Sequence, residues 1–496
     1  MIDDGEASAM PPTLLDRTRF AVDLASEAYA RTEHAARLDA LRDRLDEPLR
    51  VAVAGRVKAG KSTLLNALMG ERLAPTDAGE CTRIVTWYHD GHTYGVTAGL
   101  RDGGRADLTF RRDDGALEVD LNGLAPGDVE RLDLTWPSQA LRTWTLVDTP
   151  GIGSLDPSSA ERTWDLLADD ETPADAVVYL MRHLHPQDVA FLDAFHDTEV
   201  SRPNPVNTIG VLSRADEIGV GRIDALASAR RIAGRLRRDA TVRRMVQTVV
   251  PVAGLLAETA ATLTEDEVAR LRRVAALPAA DADDLLLSAD RFVERQPGLG
   301  LTDLERVALL ERFGLFGVRL ATVLLRQKVV GTATELAREL AARSGIGELR
   351  TVLDSLFVGR RDVLKSRSAL LALDALLVAA PVPGGDRVAT VVEQVVASAH
   401  AFAELRVVSA LRAGWVTGPD EALTDLERLV GGDGEAARRR LDLPAGASSA
   451  DVTDAARSAL DRWTRRAENP LTRHELMLAA RVAVRSVEGL LDGPRP

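Results

Sequence analysis

Leu14, Ala21, Leu24, Ala28, Ala35, Leu38, Leu41 and Leu45 recur near helical spacing, which predicts one amphipathic helix over residues 13–46, stopped by Pro48. The period then changes. Val51-Ala52-Val53-Ala54 is an unbroken apolar run of the kind that forms a buried strand, and Leu64-Leu65-Asn66-Ala67-Leu68 returns to a helical pattern. Similar strand-like runs occur at Trp144–Leu146, Val177–Leu180, Ile209–Leu212 and Val249–Val252. Between the Val51–Ala54 and Trp144–Leu146 runs, alternating stretches at Tyr94–Thr97 and Ala106–Phe110 are split by Arg101-Asp102-Gly103-Gly104 and Asp113-Asp114-Gly115, which are hairpin signals.

Beyond residue 256 the periodicity is helical. Polar and acidic helices occupy about 257–306, with Ala279–Asp284 as a cap region, and a packing helix runs from Leu309 to Leu325. From 333 to 380 an apolar stripe (Leu336, Leu340, Leu349, Leu353, Leu356, Leu364, Leu371) would make a rod of roughly 70 Å if unbroken, with Gly345, Gly347 and Gly359 as its joints. Pro381–Asp386 is a turn, Val388–Leu411 a returning helix, and further helices fall at 421–430, 449–467 and 472–491. The expected plan is a disordered 1–12, an N-terminal helix over 13–47 packing with the C-terminal bundle, an α/β domain over 48–330, and a helical neck and stalk over 331–496 with a tip near 369–387. The expected fold class is an α/β domain with an enlarged, mostly parallel central sheet, which the motifs that follow make a phosphate-loop GTPase domain, plus an elongated all-α helical-bundle stalk.

Candidate chemistry sits at the first strand-to-helix transition. Gly55-Arg56-Val57-Lys58-Ala59-Gly60-Lys61-Ser62 reads G-x-x-x-x-G-K-[ST] in the strand, loop and helix context that a phosphate cradle requires. Gly55 and Gly60 let successive N–H groups converge on an anion, and Ala59 and Thr63 complete the cradle. Lys61 reaches the β- and γ-phosphates, and the Ser62 hydroxyl ligates Mg²⁺. Val147-Asp148-Thr149-Pro150-Gly151 ends a strand in D-x-x-G, placing Asp148 in the Mg²⁺ shell and the Gly151 N–H at the γ-phosphate. Ser213-Arg214-Ala215-Asp216 follows another strand, and the Asp216 carboxylate can accept the paired N1–H and N2–H₂ donors that guanine has and adenine lacks. Ala253-Gly254 ends a further strand in a tight turn suited to offering a backbone N–H to guanine O6. Thr82 lies 21 positions after Lys61 in a polar loop and is the candidate second Mg²⁺ ligand and γ-phosphate sensor. It is 66 positions before Asp148, far more than a small GTPase needs.

In order, GRVKAGKSTLLNAL, CTRIVT, LVDTPG, VLSRADEIG and VPVAG resemble the motifs of the dynamin superfamily, and specifically of the bacterial dynamin-like proteins, over residues 50 to about 255. The helical half resembles that family in architecture only. The resemblance implies hydrolysis of GTP to GDP and phosphate, coupled to membrane binding or remodelling through a helical stalk. It also implies dimerisation of GTPase domains, as a homodimer or with a paired paralogue. The chain departs from related patterns at three points. Ile152 follows the D-x-x-G glycine and Val57 stands in the loop, two places where related enzymes carry a water-positioning glutamine. Arg214 replaces the usual lysine beside the base, where its aliphatic stem can pack along the ring. Lys58 takes a position where eukaryotic dynamins recruit a monovalent cation and other branches place an arginine. It acts either as a fixed charge on the transition state or as a solvated loop charge, and Arg56 has the same two readings.

Composition adjusts this picture little. A net charge of −13 argues against a nucleic-acid module, and 4% aromatic content suits Ala/Leu/Arg-rich helices. The acidic start carries no signal-peptide pattern, and no apolar run approaches a membrane span, so a cytoplasmic protein, soluble or peripheral on an anionic membrane, is expected. Cys81, the one cysteine, is read as a small space-filling side chain beside Thr82. His183 and His185 read as a solvated loop against a metal or catalytic role. Arg360, Arg361, Lys365 and Arg367 precede an apolar run and read either as a membrane contact or as a helix face leading into a bundle seam. Two rival functions remain beside the mechanochemical one: a regulatory or assembly GTPase acting on RNA or protein, and a weakly hydrolysing nucleotide-gated scaffold.

Overall fold

The computed structural model describes residues 13–74, 84–113, 116–150, 174–183, 207–219, 224–294 and 298–492. Its centre is a nine-stranded sheet in the order β11-β10-β9-β1-β8-β2-β7-β3-β4. These are β1 (Leu49–Gly55), β2 (Val85–His89), β3 (Gly95–Leu100), β4 (Arg105–Asp107), β7 (Val129–Thr135), β8 (Trp144–Asp148), β9 (Ala176–Met181), β10 (Thr208–Leu212) and β11 (Val249–Pro251). The five strands from β11 to β8 run parallel. β9 and β10 are buried along their whole length, as strands covered on both faces must be, which is why they read as continuous apolar runs. β2 enters antiparallel to β8, with Thr86 in register with Asp148. The two expected hairpins form as β3–β4 and as β5 (Thr109–Asp113) with β6 (Ala116–Asp120), and they enlarge the domain at its edge.

The predicted N-terminal helix is two helices, α1 (Leu14–Tyr29) and α2 (Ala35–Asp46). Thr32 causes the break: its hydroxyl donates to the Tyr29 carbonyl at 2.9 Å and accepts the His34 N–H at 3.2 Å, replacing helical bonds with side-chain ones. Helix α3 (Lys61–Met69) follows the phosphate loop, α4 (Ala225–Leu236) and α5 (Ala240–Met245) cover the sheet, and α6 (Gly254–Ala261) follows β11. Helices α7 (Glu265–Ala275), α8 (Ala279–Leu285), α9 (Ala289–Glu294) and α10 (Asp303–Arg326) share one apolar core with α6. α10 is kinked at Gly314, which leaves helical geometry at φ 63°, ψ 167°.

The 333–380 stripe is not one rod. It divides into α11 (Ala333–Ser344), α12 (Ile346–Leu356) and α13 (Arg361–Ala379), with a 3₁₀ turn at Val358–Arg360. Gly345 is the first joint because its φ is 84° and a Cβ there would stand 2.2 Å from the Pro251 carbonyl oxygen. Gly347, in contrast, is inside α12. The returning helix is likewise two, α14 (Gly385–Ser398) and α15 (His400–Arg412), parted where Ala399 adopts an extended conformation. α1 packs on α13 and α14, and Tyr29 donates its hydroxyl to the Ala380 carbonyl at 2.7 Å. α16 (Asp420–Leu429), α17 (Ala437–Arg440), α18 (Ser449–Glu468) and α19 (His474–Asp492) close a separate apolar core around Trp463.

The basic residues ahead of the α13 apolar run take the seam reading. Arg360 and Lys365 are each 2% exposed; Arg360 pairs with Glu435 at 2.7 Å and the Lys365 ammonium donates to the Arg44 carbonyl. Arg361 donates to the Glu47 carbonyl at 2.7 Å.

Candidate functional site

The site is built at the carboxyl ends of the parallel strands, where such sheets open a crevice. β1 delivers Gly55 against β9 so tightly that a Cβ would lie 2.6 Å from the Leu180 carbonyl oxygen, and its φ of 148° excludes other residues as well. The loop then turns through Lys58, at φ 62° with an exposed side chain, into Gly60 at φ 94°, whose missing Cβ faces open space. Ala59 is buried and donates its N–H to the Arg56 carbonyl at 3.1 Å. α3 begins at Lys61, so the loop ends at the positive pole of a nine-residue helix.

The charged groups gather beneath this loop. Lys61 Nζ lies 3.4 Å from the Gly55 carbonyl oxygen; burial lowers its pKa, opposed by the charge of Asp148. Ser62 donates to Asp148 Oδ2 at 3.0 Å, while Oδ1 of that carboxylate is buried with no hydrogen-bond partner among the described residues. Burial pushes Asp148 up to about 6, against the pull of Lys61 and Ser62. A buried acidic oxygen beside a hydroxyl fits a hard, oxygen-ligated cation such as Mg²⁺, whose charge would bring that carboxyl back to the ionised form. Thr149 braces the strand end, donating its hydroxyl to the Val53 carbonyl at 3.0 Å.

The second half of the site is a pocket of about 160 Å³ lined by Thr63, Leu180, Ser213, Arg214, Asp216, Gly254 and Leu255, among others. Asp216 lies in the 3₁₀ turn Ala215–Glu217, is 8% exposed, and has its carboxyl raised by burial. Ser213 anchors the turn by donating its N–H to the Met181 carbonyl at 2.9 Å. Arg214, in a left-handed conformation, pairs with Glu217 at 2.6 Å, which holds its stem beside the pocket. Of the two N–H groups in the Ala253-Gly254 turn, that of Ala253 is engaged, donating to the Ser344 carbonyl at 2.8 Å. The Gly254 N–H, at the first position of α6, has no acceptor among the described residues and lies at the pocket wall.

Thus Gly55, Ala59, Gly60, Lys61, Ser62, Thr63 and Asp148 come together at one end, and Ser213, Arg214, Asp216 and Gly254 at the other. Thr82, Gly151, Ile152, Cys81 and His185 lie outside the described residues. His183 is exposed, and no group of three or more His, Cys, Asp or Glu side chains could hold a metal among the described residues. Sequence reasoning missed Leu180, Leu255 and the α10 kink. A Cβ on Gly314 would stand 3.5 Å from Leu255 and 3.9 Å from Asp216 Oδ2, so α10 packs directly behind two residues that line the pocket. Nothing near Gly314 in sequence signals that approach.

A glycine loop at a helix start, a lysine and a serine–aspartate pair beneath it, and a separate carboxylate-floored pocket define a phosphate-loop nucleotide-binding domain. Residues 51–215 match the profile of the dynamin family. Isoniazid-induced protein IniC of Mycobacterium tuberculosis is 42% identical over 456 residues, covering 92% of each chain. Isoniazid-induced protein IniA of the same organism is 34% identical over 148 residues, 29% of this chain and 22% of its own. Among solved structures, a chain described in an oligomerised bacterial dynamin pair for long-range sensing and tethering of membranes covers 97% of this chain and 75% of its own. Its TM-score is 0.30 at 11% identity, too loose a superposition to compare elements. The chain belongs to the dynamin family and is a bacterial dynamin-like protein with that family's GTPase domain.

Proposed function

We propose that this chain binds GTP with Mg²⁺, hydrolyses it to GDP and phosphate, and uses the cycle to drive GTPase-domain dimerisation and membrane binding or remodelling. The division into a GTPase domain over 48–330 and a helical neck and stalk over 331–496 belongs to the same proposal. The observation that carries the nucleotide half is the Ser62–Asp148 pair, with its unsatisfied buried oxygen, lying under an open glycine loop and beside Lys61. Lys61 holds the β- and γ-phosphates, Ser62 and Asp148 hold the cation directly or through water, and Asp216 with the Gly254 N–H reads the base. Mg²⁺, when bound, neutralises charge on the phosphates. Thr82 and Gly151 are assigned to the γ-phosphate from sequence alone, and Lys58 to charge developing on the transition state.

No helix of the described residues is long and apolar enough to cross a membrane, so membrane contact is proposed as peripheral, on the cytoplasmic face. With Arg360 and Lys365 buried, the exposed end of the α13–α14 hairpin is Val378, 73% exposed, and the turn that follows. The partner is a second copy of this chain or a dynamin-like paralogue. A nucleotide-gated scaffold is the second reading, favoured by Val57, which is 46% exposed and brings no side-chain polar group to the loop. The test is GTP turnover per chain across a wide dilution series, with and without anionic liposomes. Specific activity should rise with concentration, because a dimer can order in each site the water that no loop side chain holds. Absence of turnover under every condition leaves the scaffold; flat specific activity removes dimer activation.

A further inference from the structure

Asn66 lies on α3, one turn after Ser62 and on the same side of the helix. It is 1% exposed, and its amide is fully committed. Nδ2 donates to the Ala74 carbonyl at 3.0 Å and to Glu258 Oε1 at 3.2 Å. Oδ1 accepts the Leu73 N–H at 2.9 Å and the Ala74 N–H at 2.7 Å. A primary amide offers two donors and two acceptor positions, and all four are used here. Three of these bonds grip the backbone of two successive residues. Beyond Ala74 the chain runs toward Thr82 and returns at buried Ile84 to β2, whose Thr86 is in register with Asp148. Ala74 is therefore held by an amide on the helix that carries Ser62, and Ile84 leads into a strand that pairs with β8 beside Asp148; residues 75–83 between them lie outside the described residues.

Glu258 extends the grip. It stands one turn after Gly254 on α6, is 3% exposed, and has Arg72 Nε at 3.4 Å. Burial raises its pKa, opposed by Arg72 and Arg312 and by the bond from Asn66. The same helix start that walls the base pocket thus ends in a side chain bonded to Asn66. Buried polar networks that are fully satisfied fix geometry more than they add stability.

We propose that Asn66 is a positioning residue for hydrolysis, fixing Leu73 and Ala74, from which the sequence continues to Thr82, relative to Ser62, with Glu258 tying that point to the base-reading helix. The inference rests on the reading of this chain as a GTPase. A merely structural asparagine would change how much protein folds without changing the chemistry at each folded site. The test therefore counts sites by bound fluorescent GDP and measures single-turnover hydrolysis per site for Asn66→Ala, Asn66→Asp and Asn66→Asp/Glu258→Gln. Asn66→Ala should keep GDP affinity within about threefold, while per-site hydrolysis falls at least about tenfold, equivalent to about 1.4 kcal/mol. Its preference for a non-hydrolysable GTP analogue over GDP should fall by a similar factor. Asn66→Asp keeps the acceptor for Leu73 and Ala74 but faces Glu258 with a like charge, and the added Glu258→Gln should recover part of its loss.

Unchanged per-site hydrolysis and unchanged analogue preference in Asn66→Ala would overturn the proposal. If Asn66→Ala does not fold, equal per-site rates in Asn66→Asp and the double variant overturn it instead. A wild type without turnover removes the GTPase reading, and the analogue-to-GDP affinity ratio then decides the fate of this inference by itself.

Discussion

Replacing Glu404 by glutamine tests how the last helices are held. Glu404 on α15 is 6% exposed and accepts two bonds from Arg440, Nη1 to Oε1 at 2.5 Å and Nη2 to Oε2 at 3.1 Å. His400 and Ser486 lie beside it, with His400 Nε2 3.0 Å from Ser486 Oγ. Burial alone would raise this carboxyl; hydrogen bonds from His400 and Arg440 and the Arg440 charge overcome it and lower it from 4.5 to about 2. A folded-state pKa below the unfolded one means stability that is fully present above 4.5 and lost as pH falls toward 2. The difference corresponds to about 3 kcal/mol, within the range for removing one partner of a buried pair. Hydrogen exchange of peptides from α18 and α19 at pH 7, 5 and 3, corrected for intrinsic rates, reads the opening free energy of that core. Glu404→Gln should lower it by about 3 kcal/mol at pH 7 and pH 5 but by less than half as much at pH 3, which lies only a little above the folded pKa. Groups remote from Glu404 titrate alike in both proteins and cancel; His400, 3.5 Å from Glu404 Oε1, does not, and its protonation on going from pH 7 to pH 5 adds to the deficit. A deficit that is absent at pH 7, or that stays constant down to pH 3, refutes the reasoning.

Asp216→Asn should weaken GDP binding by at least about 100-fold, since two bonds to a charged group are each worth about 1.5–3 kcal/mol, and should shift preference toward xanthine nucleotides. Competition binding checks it, and equal wild-type affinity for ATP and GTP would sink guanine recognition. Lys58→Ala should cut turnover with little change in GDP affinity, and the wild type should be indifferent to replacing Na⁺ or K⁺ by a large organic cation at constant ionic strength. A wild type that requires Na⁺ or K⁺ returns Lys58 to a solvated loop charge.

What was legible in the sequence is what local chemistry dictates. The glycine turn was legible because Gly55 and Gly60 meet a local backbone requirement, and the strand and helix on either side bring Ser62 onto Asp148. The buried strands were legible because covering both faces demands continuous apolar residues. The helical half was read less well, and for a physical reason. An apolar stripe reports which face is buried, but not whether the helix is continuous. Thr32 ends α1 with a hydroxyl that any helix could have carried on its surface, and Ala399 breaks a run with no breaker residue at all. Which N–H of the Ala253-Gly254 turn is free could not be read, because the acceptor of the Ala253 N–H, Ser344, lies at the end of a helix far along the chain. Arg360 and Lys365 invited a membrane reading because charge in a sequence carries no record of its partner.

Those long-range partners are where the nucleotide site meets the helices. Ser344 accepts the Ala253 N–H, Gly345 packs on Pro251, and Arg350 on α12 donates to the Ala67 carbonyl at 2.9 Å, at the end of the helix that carries Ser62. At the opposite end of the sheet, Asp175 precedes β9 and is 1% exposed. It accepts Arg44 at 2.7 Å, Ser368 of α13 at 3.0 Å and the Arg50 N–H at 2.9 Å. Burial pushes that carboxyl up, but Arg44, the Arg50 N–H and Lys365 bring it below its ordinary value. Replacing such a cluster with apolar residues need not cost stability, so its physical meaning is orientation: charges with directional partners tolerate one arrangement of α2, β1, β9 and α13 and penalise others. Apolar surfaces alone would let these helices slide. The first joint of the helical half is therefore bonded to the turn that leads into the pocket wall at Gly254, and α13 to the foot of β1 and β9, so a shift at either end of these strands has a bonded route into the helices.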